Sequence, residues 1–193
     1  MKKIRLYDAI QALKVLLQYI GDDPNREGLK ETPDRIIRMW GEIFRGYDEE
    51  QKPKITTFTN EEHISDIIVD SGEYYSMCEH HMLPFFGEYY VAYRPNPNGR
   101  IIGLSKIARV VNYCSAKLQL QERLAKDIVT MLDEALEGDA QGFAILLRGQ
   151  HMCKTMRGVK AKGKMTTTFF TGCFKERENQ EEFYRLIDYG NRD

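Results

Sequence analysis

The sequence predicts an α+β fold in which an antiparallel sheet packs against helices on one of its faces. From residue 64 onward, strand-like segments come first, two amphipathic helical segments follow, and strand-like segments then return. Separate runs of strands and helices are typical of α+β domains. Before residue 51 the pattern is only helical, so we expect an N-terminal helical region over 1–50 and a second domain over 51–193.

Two helices are predicted in the N-terminal region. Apolar residues recur at helical spacing over residues 10–20, and Gly21 follows as a stop signal. Thr32 and Pro33 are of the types preferred at an N-cap and at the first helical position, so they open the second helix. The polar run 48–54 marks the predicted boundary between the two regions.

The second domain contains segments rich in β-branched and aromatic residues, which is the composition of pleated, half-buried strands. An antiparallel sheet built from such strands has open edges. Pairing between subunits protects an open edge, so we expect an oligomer. The predicted strands are 64–70, 86–93, 100–103, 142–147 and 165–174.

Three helices are predicted in this domain. Ser105 is placed as the N-cap of the first, whose buried side covers 107–118. The second covers 121–136, and Gly138 ends it. A short third helix covers 181–187.

Composition and charge exclude several classes of protein. With 42% hydrophobic and 30% charged residues among 193, the chain is folded rather than disordered. A net charge of -1 provides no global attraction to nucleic acid or to an anionic membrane, so we expect neither as a partner. No apolar run is long enough to cross a bilayer, and the N-terminus does not resemble a signal peptide. We therefore expect a cytoplasmic protein whose four cysteines stay reduced, as metal ligands or buried thiols.

Two short motifs hold three of the four histidines and two of the four cysteines. Sulfur and nitrogen ligands favour zinc over magnesium or calcium. A structural zinc site is closed by four protein ligands, whereas a catalytic site keeps one position for water, and five candidate ligands allow either arrangement. The motifs are Cys78-Glu79-His80-His81 and His151-Met152-Cys153.

Within these motifs the residue types predict separate roles. Cys78 and His81 form a C-x-x-H pair, which is typical of two zinc ligands on one turn, and Cys153 is a natural third ligand. His80 and His151 adjoin the ligand positions and are placed for proton transfer beside a metal-bound water. The alternative is a purely structural metal site, with each remaining histidine a satisfied core residue.

A cationic cluster predicts binding of an anionic group such as phosphate. Lys106 and Arg109 lie in the first turns of the helix that Ser105 opens, where backbone N–H groups and the helix dipole favour an anion. Arg157 closely follows the second motif, and arginine binds phosphate through two parallel hydrogen bonds. Glu122, at the start of the next helix, either complements the helix dipole or accepts two N–H bonds from a guanine edge.

Together these motifs resemble the GTP cyclohydrolase I family of zinc enzymes. The resemblance extends over nearly the whole chain, with the motifs in the family's order. The matching stretches are Cys-Glu-His-His-Met-Leu-Pro-Phe (78–85), Gly-Leu-Ser-Lys-Ile-Ala-Arg-Val-Val (103–111), Leu-Gln-Leu-Gln-Glu-Arg-Leu (118–124), His-Met-Cys-Lys-Thr-Met-Arg-Gly-Val (151–159), and the pair 26–29 and 32–35.

The resemblance implies a catalytic zinc site. Cys78, His81 and Cys153 would bind Zn²⁺, with water as the fourth ligand. Activated water would attack C8 of the guanine ring of GTP, C8 would leave as formate, and rearrangement would give 7,8-dihydroneopterin triphosphate. His80 and His151 would donate and accept protons in this first step of tetrahydrofolate and pterin biosynthesis.

The resemblance also implies a guanine site and a triphosphate site. Glu122 would hold the N1–H and the 2-amino group of guanine, with Gln121 beside it. Such a site discriminates against adenine, because the wrong base would leave a buried carboxylate unpaired. The residues implied for the triphosphate and ribose are Ser105, Lys106, Arg109, Arg157 and Arg38.

For the catalytic domain over 51–193, the resemblance implies the tunnelling fold, a four-stranded antiparallel sheet with two antiparallel helices. In this family, sheets join edge to edge into subunit rings, and two five-membered rings stack into a homodecamer. The active sites lie between subunits, so each would use residues from more than one chain.

Two stretches depart from the family pattern. Lys164 stands where the family usually has serine, which affects the finer phosphate contacts and not the metal. The stretch 114–117 is less basic and less aromatic than in relatives, and Cys114 and Cys173 match no ligand position and are interpreted as structural thiols. The rival functions are a pterin synthase or a nitrile reductase of the same fold, and a non-catalytic nucleotide-binding ring held together by zinc.

Overall fold

The structure is a computed structural model that describes residues 4–189. The chain divides into two compact units, one up to Arg45 and one from Gly46 onward. This division falls ahead of the predicted boundary at residue 50. The first unit is helical, and the second contains both of the sheets found in the described part of the chain.

The first unit consists of helices α1 (Leu6–Tyr19) and α2 (Thr32–Ile43). The prediction that Thr32 is an N-cap is wrong, because Glu31 occupies that position. Thr32 and Pro33 are the first two helical residues instead. Proline is tolerated there because the N–H groups of the first turn have no partner within the helix.

The second unit is an α+β structure, as predicted. Within residues 46–189 the strands are β1 (Thr57–Thr59), β2 (Ile68–Cys78), β3 (Pro84–Arg94), β4 (Arg100–Ile102), β5 (Leu118–Gln119), β6 (Gly142–His151) and β7 (Met165–Phe170). The main sheet has the order β5-β2-β3-β6-β7, and β1 pairs with β4 in a separate two-stranded sheet. β2, β3, β6 and β7 run antiparallel, and the two-residue β5 joins β2 in parallel.

Three predicted strands differ from the structure. The segment 64–70 becomes a strand only near its end, and β2 continues to Cys78 because it pairs with β3 over its whole length. The segment 165–174 leaves the sheet after Phe170, where a short 3-10 helix follows. The segment 100–103 forms β4, which lies outside the main sheet.

The helices of the second unit cover both faces of its main sheet. They are α3 (Leu104–Ser115), α4 (Gln121–Ala135), α5 (Met152–Thr155) and α6 (Arg177–Tyr189). Val91 and Ile145 are buried in the cluster that contains the apolar sides of α3 and α4. The next residues along the strands, Ala92 and Leu146, pack with Phe183 of α6. Because neighbouring strand residues point to opposite faces, the prediction of helices on one face is wrong.

The prediction that Ser105 caps α3 is also wrong. Gly103 precedes the helix in extended backbone, and Ser105 is the second helical residue. A glycine has no side chain with which to accept from the first-turn N–H groups, so the start of α3 lacks a side-chain cap. No helix in residues 4–189 is long and apolar enough to span a bilayer.

Candidate metal centre and active site

Strand ends place the two sequence motifs beside each other. β2 ends at Cys78, and a tight hairpin leads from it into β3. β6 ends at His151, which lies opposite Phe85 near the start of β3. Cys153, in the first turn of α5, therefore follows at the same end of the sheet as Cys78.

The hairpin turn after β2 presents Cys78 and His81. The N–H of Met82 donates to the carbonyl of Cys78 at 2.8 Å, and the N–H of Cys78 donates to the carbonyl of Leu83 at 2.9 Å. Met82 has a φ of 52°, in the left-handed region that non-glycine residues seldom adopt. The chain thus reverses within one tight turn, and the C-x-x-H spacing brings its two ligand types together.

Cys78, His81 and Cys153 form a group that could hold a metal ion. Their ligand atoms all lie within 4.8 Å of one another. Zinc–sulfur and zinc–nitrogen bonds of about 2.3 and 2.0 Å place tetrahedral ligands about 3.5–4 Å apart, so small side-chain adjustments would close this group on zinc. It is the one such group of three or more histidine, cysteine or acidic side chains found in residues 4–189.

The two thiols of this group explain why a cation suits it. Burial raises the pKa of the Cys153 thiol, and the neighbouring Cys78 raises it further. Cys78 is itself only 5% exposed. Two thiolates in this position require a nearby positive charge, and a divalent metal would provide it by binding the deprotonated sulfurs.

His151 is half-buried beside the group and is held on two sides. Its ring stacks on Phe85 with centroids 4.6 Å apart and planes within 6°. Its Nε2 lies 2.9 Å from Oε1 of Gln121. Burial lowers the pKa of His151, and the negative charge of Glu122 acts in the opposite direction.

Two further side chains lie next to the metal group. Nδ1 of His80 is 3.9 Å from Sγ of Cys78, and the rings of His80 and His81 meet edge to face at 6.3 Å. Nη1 of Arg157 lies 2.6 Å from Nε2 of His81. A guanidinium can only donate, so the imidazole nitrogen must accept in this contact. The structure thus brings His80, His151 and Arg157 together with the three ligand candidates.

A cavity of about 370 Å³ adjoins this cluster and is lined by His151, Cys153, Lys154, Gly163 and Met165. A larger open cavity of about 560 Å³ lies along residues 57–64 and 100–101, and its lining includes none of the predicted site residues. We place the site at the smaller cavity because the ligating and titratable side chains converge there. Lys164, the departure from the family pattern, lies close by in an exposed ion pair with Glu88.

The predicted substrate residues fall into separate groups. Glu122 is exposed in the first turn of α4, whereas Gln121 beside it is only 1% exposed. Ser105, Lys106 and Arg109 lie on α3, and within residues 46–189 no hydrogen bond or ion pair joins their side chains to the metal group. Arg38 lies on α2 of the first unit and is exposed.

Several residues that hold the site were not singled out in the sequence. Tyr74 donates its hydroxyl proton to Gln121 at 3.1 Å, and Phe85 stacks on His151. The guanidinium of Arg123 pairs with Glu79 between the two ligand candidates of the turn. These contacts join residues that lie 30 or more positions apart in the sequence, so no local pattern indicates them. The one signal in the sequence was that Glu79 and Arg123 lie within or next to the motifs.

The fold and the site define a class of protein. It is an α+β protein with a Cys-His-Cys group that could bind a metal at one end of its sheet, beside a half-buried histidine and a cavity.

Comparison with known proteins identifies the family. The sequence pattern of the family described as GTP cyclohydrolase I matches residues 9–188. Relatives named GTP cyclohydrolase 1 include one from Clostridium perfringens strain 13, which is 47% identical over 180 residues, covering 92% of this chain and 95% of the relative. Others come from Caldanaerobacter subterraneus subsp. tengcongensis, 48% identical with coverage of 92% and 94%, and Streptococcus agalactiae serotype V, 42% identical with coverage of 93% and 96%. The chain belongs to the GTP cyclohydrolase I family of enzymes, which confirms the resemblance in the sequence.

Among solved structures, an apo crystal structure titled archaeosine synthase QueF-Like is similar, with 15% identity and a TM-score of 0.43. The match covers 55% of this chain and 93% of the other. At this level the likeness adds nothing to the argument.

Proposed function

We propose that this protein is a zinc-dependent GTP cyclohydrolase I. It opens the imidazole ring of GTP by hydrolysis, releases C8 as formate, and forms 7,8-dihydroneopterin triphosphate for tetrahydrofolate or pterin biosynthesis. The observation that carries the proposal is the convergence of Cys78, His81 and Cys153 with His151, in a chain that belongs to this family.

The proposed metal is zinc, held by Cys78, His81 and Cys153. Two sulfurs and one nitrogen are ligands that zinc prefers, and three protein ligands are typical of a catalytic site. When bound, zinc would supply Lewis-acid activation of water for attack at C8 of the purine. The protein orients that chemistry by setting the ligands on a tight turn and on the first turn of a helix, both at the end of the sheet.

His151 and His80 are proposed to move protons between the substrate and the solvent side of the site. His151 is half-buried and oriented by Phe85 and Gln121, so its ring cannot rotate freely. His80 is exposed beside Cys78, where it can exchange protons with water. General acid–base groups of this kind contribute roughly 10²–10⁴-fold to rate.

For substrate recognition, Glu122 would accept the N1–H and 2-amino protons of guanine. Its position beside His151 supports this role, because the carboxylate is close enough to raise the pKa of the ring. Phosphate and ribose contacts are proposed for the cationic residues and one hydroxyl: Arg157, Lys106, Arg109, Arg38 and Ser105. Gln121 precedes Glu122 in the chain, beside the proposed guanine site, and its own side chain is buried.

The proposed assembly is a homodecamer of two stacked five-membered rings of the tunnelling fold, in the cytoplasm. β7 has one neighbour in the main sheet of the described chain, so its outer edge is available for pairing with another subunit. The proposal that each site uses more than one subunit agrees with Ser105, Lys106 and Arg109 having no bond to the metal group of their own chain.

The test is incubation of zinc-loaded and metal-stripped protein with GTP. We expect stoichiometric formate and a pterin that becomes fluorescent on oxidation, only from the loaded protein, with about one zinc per chain by metal analysis. Zinc and bound GTP without either product would instead identify a non-catalytic nucleotide-binding ring. Sedimentation of the same sample would test the decamer.

A further inference from the structure

The amide group of Gln121 is buried, and its orientation is determined by its neighbours. The side chain is 1% exposed. Its Nε2 donates to the carbonyl oxygens of Leu147 and Met165, both at 3.1 Å, and lies 3.0 Å from Oγ1 of Thr167. Carbonyl oxygens can only accept, so a flipped amide would place its own oxygen against two others. The NH₂ group must therefore face β6 and β7.

The oxygen of the same amide consequently faces Tyr74 and His151. Oε1 lies 3.1 Å from the hydroxyl of Tyr74 and 2.9 Å from Nε2 of His151. An amide oxygen can only accept, so Nε2 of His151 must carry a proton. The neutral ring is then the tautomer with a bare Nδ1. Within residues 4–189, no hydrogen bond is found at that nitrogen.

We propose that Gln121 is a positioning residue that fixes the ring of His151 in one orientation and in the tautomer that carries its proton on Nε2. This inference rests on the proposed function, which assigns proton transfer to His151. Nε2–H is hydrogen-bonded to the amide oxygen of Gln121, and the amide itself neither gains nor loses a proton.

Two further contacts support this arrangement. Phe85 stacks on His151 with planes within 6°, so the ring plane is fixed as well as the hydrogen bond. Gly149 provides the space, because a Cβ there would lie 2.2 Å from the Tyr74 hydroxyl and 2.7 Å from Oε1 of Gln121. A side chain at that point of β6 would displace both groups.

The kinetic test replaces Gln121 with methionine, which has similar length and no acceptor for Nε2–H. We expect kcat to fall on the order of 10-fold or more, with KM changed by less than about 3-fold, because acid–base catalysis depends on the correct tautomer and orientation of the ring. Thr167→Val is the matched control: it removes one of three acceptors of the amide NH₂ and leaves the His151 side intact. We expect it to lower kcat by less than about 3-fold. Zinc content and melting temperature are measured for each protein.

The direct test is solid-state ¹⁵N NMR of the zinc-loaded, histidine-labelled protein, with the His151 signals assigned by their loss in His151→Asn. The expected result is a protonated Nε2 and an unprotonated Nδ1 in the wild type. A protonated Nδ1 with a bare Nε2 would overturn the inference, as would a rise in KM at unchanged kcat in Gln121→Met, which would make Gln121 a substrate contact. The NMR measurement does not require turnover. Absence of activity on GTP would overturn the proposed function, and the protonation of the two His151 nitrogens seen by NMR would still test this inference.

Discussion

Replacing Arg157 with alanine should tighten the binding of zinc to the metal-free protein. In the structure, Nη1 of Arg157 donates to Nε2 of His81 at 2.6 Å, which occupies the lone pair of that nitrogen. Coordination through Nε2 needs the same lone pair. Coordination through Nδ1 needs the proton on Nε2 instead, and a protonated Nε2 cannot accept. In either case the incoming metal must displace Arg157.

The size of this effect follows from the cost of one hydrogen bond. Such a bond contributes about 0.5–1.5 kcal/mol net, and the exposure of both side chains favours the lower part of that range. In Arg157→Ala the metal no longer has to break this hydrogen bond. Zinc should therefore bind about two- to fivefold more tightly. Loss of a positive charge beside a dication acts in the same direction.

The measurement is competition for zinc with a chromogenic chelator at fixed pH and ionic strength. Wild type, Arg157→Ala and Arg157→Lys are compared, and the lysine variant retains the charge without the guanidinium fork. We expect the dissociation constant of Arg157→Lys to lie between the other two. Equal affinity of wild type and Arg157→Ala, or weaker binding by the alanine variant, would refute the reasoning.

Four other changes have defined outcomes. Burial raises the pKa of Cys114 to about 12, so iodoacetamide should label this thiol only after unfolding; labelling of the native protein, detected by mass spectrometry, would contradict its burial. In Gly87→Ala the new Cβ would lie 2.0 Å from a carbonyl oxygen of β6 and should cost about 3 kcal/mol in urea denaturation, whereas Gly41→Ala, with nothing within 4 Å on α2, should be neutral or stabilising. Burial raises the pKa of Asp70, so its charge destabilises the fold above that pKa, and this penalty disappears as pH falls towards the ordinary value of 3.8. Asp70→Asn should therefore gain stability over wild type at neutral pH and lose that gain in acid, and a gain independent of pH would exclude the carboxylate as its cause. Glu122→Gln should raise KM for GTP while zinc stays bound, and unchanged kinetics would remove Glu122 from guanine recognition.

The metal group could be predicted from the sequence because its chemistry is local. Cys78 and His81 share one turn, and thiol and imidazole side chains are ligand types that favour zinc over magnesium or calcium. The same is true of the fold class, since the order of strand and helix patterns is visible along the chain. The position of α6 on the second face of the sheet could not be predicted. Both sides of β3 and β6 are apolar, and periodicity does not identify which helix covers which side.

The role of Gln121 could not be predicted from the sequence, because its contacts are tertiary. Beside Glu122, Gln121 was interpreted as a residue that contacts the base. The structure places its amide against strands β6 and β7, more than 25 residues away in sequence. The N-cap assigned to Ser105 failed for a smaller reason: the helix begins two residues earlier than predicted, with Gly103 in extended backbone at the N-cap position.

One strand glycine connects the composition of the sheet to the position of His151. Tyr74 of β2 lies opposite Gly87 of β3, which in turn lies opposite Gly149 of β6. A Cβ at Gly149 would lie too close to the hydroxyl of Tyr74, so this glycine leaves room for the tyrosine ring, whereas a Cβ at Gly87 would meet the backbone of β6. The Tyr74 hydroxyl reaches Oε1 of Gln121, which holds His151. Glycine weakens an ordinary strand interior, and here Gly149 is needed because the hydroxyl of Tyr74 occupies the space that a side chain would fill.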